Sequence, residues 1–139
     1  MSSCPPLYVA VVDDDQGLRR SLDRLLRASG LQPVSYESAG AFLADHKRPS
    51  FDCLVLDIQL DGISGIELAR SLLAQGSAVP FIFITAHDDP EVRAAAIALG
   101  CAGYFRKCDR GAEIVEAIRR AAAPSTQRGS LPPPPSPSN

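Results

Sequence analysis

Short apolar runs and helix-period stripes alternate along the chain, and the apolar runs end on polar residues. Leu7–Val12 (LYVAVV) is apolar throughout and closes on Asp13, Asp14 and Asp15. An uninterrupted, β-branched run of this length predicts a strand covered on both faces. From Gln16 to Ser29, Leu18, Leu22, Leu25 and Leu26 recur at helical spacing, and Gly30 follows. That predicts an amphipathic helix with a glycine stop. Pro33–Tyr36 reads as a short strand, and Ser38 as the cap of a second helix to about Asp45. Cys53–Leu56 (CLVL) is a second buried strand, ending at Asp57. Ser64 and Glu67 form a capping box for a helix through about Ala74. Phe81–Ile84 is a further buried strand, ending at Thr85. Asp89 and Pro90 read as the cap and first residue of a helix that runs to Leu99 and stops at Gly100. Gly103–Phe105 is a short strand ending near Lys107, and Ala112–Ala122 is a last helix with Ile114, Val115 and Ile118 on its apolar face.

Five strand–helix units in succession predict an α/β fold: a five-stranded, doubly wound parallel sheet with five helices and right-handed crossovers. A flavodoxin-like strand order, 2-1-3-4-5, would place the ligand site at the carboxyl ends of the strands. The folded body is expected over residues 7–123. Residues 124–139 (PSTQRGSLPPPPSPSN) carry six prolines and a single charge, Arg128, and are expected to form an extended or disordered tail or linker.

Composition narrows the function. Net charge is −2 and no apolar run reaches bilayer length, so a membrane-spanning chain and a basic nucleic-acid-coating protein are excluded. No direct nucleic-acid binding and no membrane association are expected. Cys4, Cys53, Cys101 and Cys108 lack metal-ligand spacing. They read as free thiols of a cytoplasmic protein, with Cys53 buried in a strand.

The polar residues at the strand ends come from four places in the chain: Asp13–Asp15, Asp57, Thr85 and Lys107. A parallel sheet gathers them on one rim. Converging carboxylates raise one another's pKa or recruit a cation, and an all-oxygen set suits Mg²⁺. Lys107 offers a point charge and Thr85 a hydroxyl to a phosphate. The set reads as phosphoryl transfer with one carboxylate attacking in line.

Four segments together resemble the receiver domain of bacterial two-component response regulators: VVDDD at 11–15, LVLDIQLDGISGIEL at 54–68, FIFITA at 81–86 and AGYFRK at 102–107. The resemblance implies that Asp57 accepts a phosphoryl group from a sensor histidine kinase or phosphotransfer protein. It implies that Asp14 and Asp57 bind Mg²⁺ directly, that the backbone carbonyl of Gln59 is a third ligand, and that Asp13 assists through water. Thr85 and Lys107 would contact the phosphoryl group. Tyr104 matches an aromatic switch residue that follows Thr85. Such a domain catalyses only its own phosphorylation and dephosphorylation, and switches a surface for a downstream protein target or a second copy of itself.

Two positions depart from the family pattern. Cys108 follows Lys107 where proline, often with a cis peptide, is usual, so a trans 107–108 peptide is expected, and a looser 107–111 segment because Gly111 and the missing ring both raise its freedom. Asp61 stands where proline is common, which would loosen the loop after Asp57 and add a negative charge near the metal. Other residues have plainer readings. Asp15 serves as a helix cap. Arg20, Arg24 and Arg27 form a solvated face, with Asp23 pairing Arg19 and Arg27, or else part of a kinase docking surface. His87 is exposed near the site mouth. One alternative is the receiver fragment of a DNA-binding transcriptional regulator. Another is an aspartyl-phosphate phosphatase of the haloacid-dehalogenase type, which needs a second acid where Gln59 stands.

Overall fold

A computed structural model describes residues 6–60 and 62–122. The expected roles of Asp61, Cys4 and the 124–139 tail lie outside the described residues. Five strands and five helices alternate: β1 Tyr8–Val12, α1 Gln16–Ala28, β2 Gln32–Tyr36, α2 Ala39–Ala44, β3 Cys53–Asp57, α3 Gly65–Ala74, β4 Phe81–Thr85, α4 Pro90–Ala98, β5 Gly103–Arg106 and α5 Gly111–Ala121. All strand pairs are parallel, in the order β2-β1-β3-β4-β5. The sheet is the flavodoxin-like one that the strand–helix alternation predicts.

Alternation within the apolar strands builds two cores. Ala10, Val12, Leu54, Leu56, Phe81 and Phe83 face one side, where they meet Phe42 of α2, Leu68 and Leu72 of α3 and Ala96 of α4. Val9, Val11, Cys53, Val55, Ile82 and Ile84 face the other, against Leu22 and Leu26 of α1 and Ile114 and Ile118 of α5. Burying both faces explains why β3 and β4 carry no polar position until their last residues, Asp57 and Thr85, and why the acids of β1 begin only after Val12. Those last residues then lie at one rim, because parallel strands end on the same side.

The caps appear where the sequence places them. Asp15 Oδ1 accepts from Leu18 N at 3.2 Å, Ser38 Oγ from Ala41 N at 2.9 Å, Ser64 Oγ from Glu67 N at 3.1 Å, and Asp89 Oδ1 from Glu91 N at 2.9 Å. Gly30 and Gly100 follow α1 and α4 with φ of 84° and 87°, a left-handed conformation that glycine adopts without a Cβ penalty.

Gly65 has a different task. Its N–H bonds the Ile58 carbonyl at 3.1 Å, and a Cβ there would collide with the carbonyl oxygen of Asp57. The start of α3 is thus packed directly against the backbone of the central acid. Gly65→Ala is expected to destabilise the fold by about 2–3 kcal/mol, because backbone and not a flexible side chain blocks the methyl group. Urea unfolding checks this, and an unchanged midpoint would contradict it. Gly111 is a milder case. It opens α5 in helical conformation, and a Cβ would meet Leu25 Cδ2 at 2.5 Å. Its role is close approach of α5 to α1, which corrects the expectation that Gly111 loosens the preceding loop.

Candidate functional site

At the carboxyl rim, β1 delivers Asp13 and Asp14, β3 ends in Asp57, β4 ends in Thr85, and the residue after β5 is Lys107. Asp13, Asp57 and Thr85 are completely buried, whereas Asp14 is exposed. Carboxylate oxygens of Asp13, Asp14 and Asp57 lie within 4.8 Å of one another. The Lys107 ammonium reaches over them, 3.0 Å from Asp57 Oδ2, and 3.4 and 3.3 Å from Asp13 Oδ1 and Oδ2. Its backbone N–H continues the β4–β5 ladder by bonding the Thr85 carbonyl at 2.8 Å.

The remaining carboxylate oxygens are only partly engaged. Asp57 Oδ1 accepts from Gln59 N at 3.0 Å, and Asp13 Oδ1 from Asp15 N at 2.8 Å. Asp13 Oδ2 is buried without a hydrogen bond among the described residues. A buried carboxylate oxygen met only by a 3.3 Å ion pair with Lys107, in a cluster whose three acids outnumber one ammonium by two charges, fits a hard divalent cation.

The electrostatics follow from this crowding. Burial, and then the neighbouring Asp13 charge, push the Asp57 carboxyl up to about 7. The Lys107 ammonium is held above its ordinary value. Burial works against its charge, but the hydrogen bond to Asp57 and the field of Asp13 outweigh it. A carboxylate that is desolvated yet anchored by a cation is a poised oxygen nucleophile.

Thr85 Oγ1 lies 3.0 Å from Gln59 Oε1 and 2.8 Å from the His87 carbonyl, and accepts from His87 N at 3.1 Å. Gln59 Oε1 also accepts from Ala86 N at 3.3 Å. The Gln59 side chain therefore ties the β3 rim to the β4 rim, a role the sequence reading missed by considering only its backbone carbonyl. Nothing in the sequence signals it beyond the position two residues after Asp57.

Tyr104 pairs in register with Phe83, two positions along from the Thr85–Arg106 pair. Thr85 and Tyr104 therefore share a face of the sheet. The Tyr104 hydroxyl is buried without a hydrogen bond among the described residues, and burial, followed by the Asp88 charge, raises its pKa. Arg93 lies 5.0 Å from the ring centroid and forks onto Asp88. The sequence reading did not single out this cation over the tyrosine.

One other expectation changes. Arg27 pairs with Asp23 at 3.0 Å, but Arg19 donates to the Asp13 carbonyl at 2.7 Å. Arg19 braces the backbone of the acidic cluster and is not paired with Asp23. No cis peptide bond occurs among the described residues, so the 107–108 peptide is trans, as Cys108 leads one to expect. Cys53, Cys101 and Cys108 are free. Burial lifts the Cys53 thiol to about 12, which makes it part of the core and not a reactive group.

Known proteins match this arrangement. The family described as "Response regulator receiver domain" matches residues 9–119. The transcriptional regulatory protein FixJ of Azorhizobium caulinodans is 37% identical over 123 residues, covering 88% of this chain and 58% of that protein. The response regulator protein TodT of Pseudomonas putida is 34% identical over 122 residues, covering 88% and 54%. The chain thus spans little more than half the length of these curated relatives. Among solved structures, the crystal structure of FixJ-N superposes with a TM-score of 0.77 at 33% identity, covering 86% of this chain and 95% of that one. A CheY-like receiver domain protein from Methanospirillum hungatei gives a TM-score of 0.79 at 21% identity, covering 91% and 99%, and so shows the shared fold. The matched residues take in every strand end that carries the acids, the threonine and the lysine, and the chain belongs to the response regulator receiver domain family.

Proposed function

We propose that Asp57 accepts a phosphoryl group from a phosphohistidine on a sensor histidine kinase or phosphotransfer protein. The observation that carries this reading is the Lys107 ammonium 3.0 Å from a buried Asp57, with two further carboxylates within 4.8 Å. In the reaction an Asp57 oxygen bonds to phosphorus as the phosphorus–nitrogen bond breaks. The electron pair leaves on the imidazole nitrogen. The other ring nitrogen carries the proton, so neutral imidazole departs. Lys107 and the Thr85 hydroxyl contact the phosphoryl oxygens. To do so Thr85 gives up its contact with Gln59 Oε1 or the His87 carbonyl.

Asp14, Asp57 and the backbone carbonyl of Gln59 would hold Mg²⁺, with Asp13 acting through water. When bound, the ion supplies positive charge to the transferring phosphoryl oxygens. The acids alone repel one another, so removing one ligand should be felt directly. Asp14→Asn is expected to weaken Mg²⁺ binding at least tenfold, a loss at the lower end of that for outer-shell partners of metal sites. A calorimetric titration of both proteins tests it, and equal affinities would contradict the assignment.

Residues 7–123 would act as the receiver and 124–139 as a proline-rich tail or linker. The chain would turn over no external substrate and would work in the cytoplasm. Its output would be a changed surface on α4, β5 and α5, with Thr85 and Tyr104 as the coupled pair. The downstream partner would be a protein target or a second copy. The relatives named as transcriptional regulators favour a DNA-binding regulator as the context in which this receiver operates. Beryllofluoride, which mimics a phosphoryl group, is expected to alter amide exchange across residues 86–122. Exchange that stays unchanged there would contradict the switch.

A further inference from the structure

Lys107 is placed by a loop that lacks the family's usual proline, and the structure shows what stands in its place. β5 is the edge strand and ends at Arg106. The Arg106 N–H donates to Asp109 Oδ2 at 2.8 Å, and the Asp109 N–H donates to the Arg106 carbonyl at 2.9 Å. This reciprocal pair closes a turn around Lys107 and Cys108. It fixes the peptide on each side of Arg106, and therefore the direction in which the chain enters Lys107. The Arg106 guanidinium adds a loose 3.8 Å contact to the other Asp109 oxygen. The Cys108 side chain is exposed and contributes no comparable anchor.

We propose that Asp109 is a positioning residue for Lys107. By holding the 106–109 turn closed it keeps the ammonium over Asp57. This rests on the phosphoacceptor reading given above, but it makes a separate claim about where Lys107 sits in the free protein. The acting part of Asp109 is a hydrogen-bond acceptor, not a charge. A bare negative charge beside the site would, if anything, pull on the lysine and repel an anionic phosphoryl donor.

Asp109→Ala removes the acceptor, and Asp109→Asn keeps an oxygen there while removing the charge. In metal-free protein, the Lys107 side-chain ¹⁵N resonance and the Arg106 amide exchange rate report the positioning directly. Alanine is expected to accelerate Arg106 exchange about tenfold or more and to broaden the Lys107 signal through exchange with water. Asparagine should leave both close to wild type. With acetyl phosphate and Mg²⁺, alanine is expected to lower the saturating phosphorylation rate about fivefold, with half-saturating donor concentration unchanged, because orientation is lost and not binding. Asparagine should restore the rate. An unchanged Lys107 signal in Asp109→Ala, or asparagine behaving like alanine, would overturn the proposal. Should the wild type take up no phosphoryl group while alanine alone frees Lys107, the phosphoacceptor reading would fall and the positioning role would stand.

Discussion

Replacing Lys107 with alanine is expected to slow phosphorylation of Asp57 by about 10²–10³-fold, the scale on which one preorganised charge-stabilising group acts on a transition state. The ammonium lies 3.0 Å from the oxygen of Asp57 and within 3.4 Å of Asp13. On the proposed reading it would meet the developing phosphoryl charge, and it relieves two fully buried carboxylates of each other. Its removal should cost stability as well, about 2–3 kcal/mol at pH 8, since it leaves buried acids without their cation. Protonation of one acid at lower pH should recover part of that loss. Arginine is not an equivalent. Its longer, planar fork cannot occupy the position of a compact ammonium that reaches two acids at once. Initial rates with acetyl phosphate, followed by intact mass, check the kinetic half. A rate within threefold of wild type would show that Lys107 does not neutralise the reacting group. Urea unfolding at two pH values checks the other half.

The second large effect concerns Asp57 itself. Its carboxyl titrates near 7 in the folded protein, chiefly because of burial and then because of Asp13, against an ordinary value of 3.8. The folded state therefore binds this proton more tightly than the unfolded state does. Stability from this group is fully present below pH 3.8 and is lost as pH rises from there through about 7. Above that window the ionised acid penalises the fold by up to about 4 kcal/mol, three pKa units at 1.36 kcal/mol each. Asp57→Asn removes the ionisation. In chelator-treated buffer the variant is expected to be about 2–4 kcal/mol more stable than wild type at pH 8, with a clearly smaller advantage at pH 5. Mg²⁺ should narrow the gap at pH 8, because it stabilises the wild type through the same carboxylates. An advantage that does not change with pH would show that the acid is not strained by its own charge.

Most of the fold was legible because two periods are written plainly in the chain. The apolar runs at 7–12, 53–56 and 81–84 suit strands covered on both faces, and the capping residues mark four helix starts to the residue. Boundaries moved by a single position where a rim residue continues the ladder, as Asp57, Thr85 and Arg106 do. Their polarity marks the end of burial in an apolar core, not the end of hydrogen bonding. The site was legible for the same reason. Parallel strands with polar last residues must bring those residues to one edge, and Asp13, Asp57, Thr85 and Lys107 meet there.

What sequence reasoning missed are contacts made by flexible polar side chains between separate elements. Gln59 reaches Thr85 from 26 residues away, and Arg93 covers Tyr104. Neither pairing has a period or a spacing rule. Arg19 shows the opposite failure. Helical spacing offers it Asp23, but the Asp13 carbonyl is a better acceptor because it belongs to a backbone already fixed at the rim. Gly111 was taken as a source of freedom, whereas its missing Cβ admits Leu25 between α1 and α5. Asp109 was the one residue with a usable signal, an aspartate in a turn two positions after a functional lysine.

The central claim is that Asp57 is the phosphoacceptor, and intact mass after incubation with acetyl phosphate and Mg²⁺ tests it most directly. The wild type is expected to gain one phosphoryl group, to gain none when the metal is chelated, and Asp57→Asn to gain none at all. Equal uptake by Asp57→Asn and wild type, or no uptake by a folded, Mg²⁺-loaded wild type, would contradict the account.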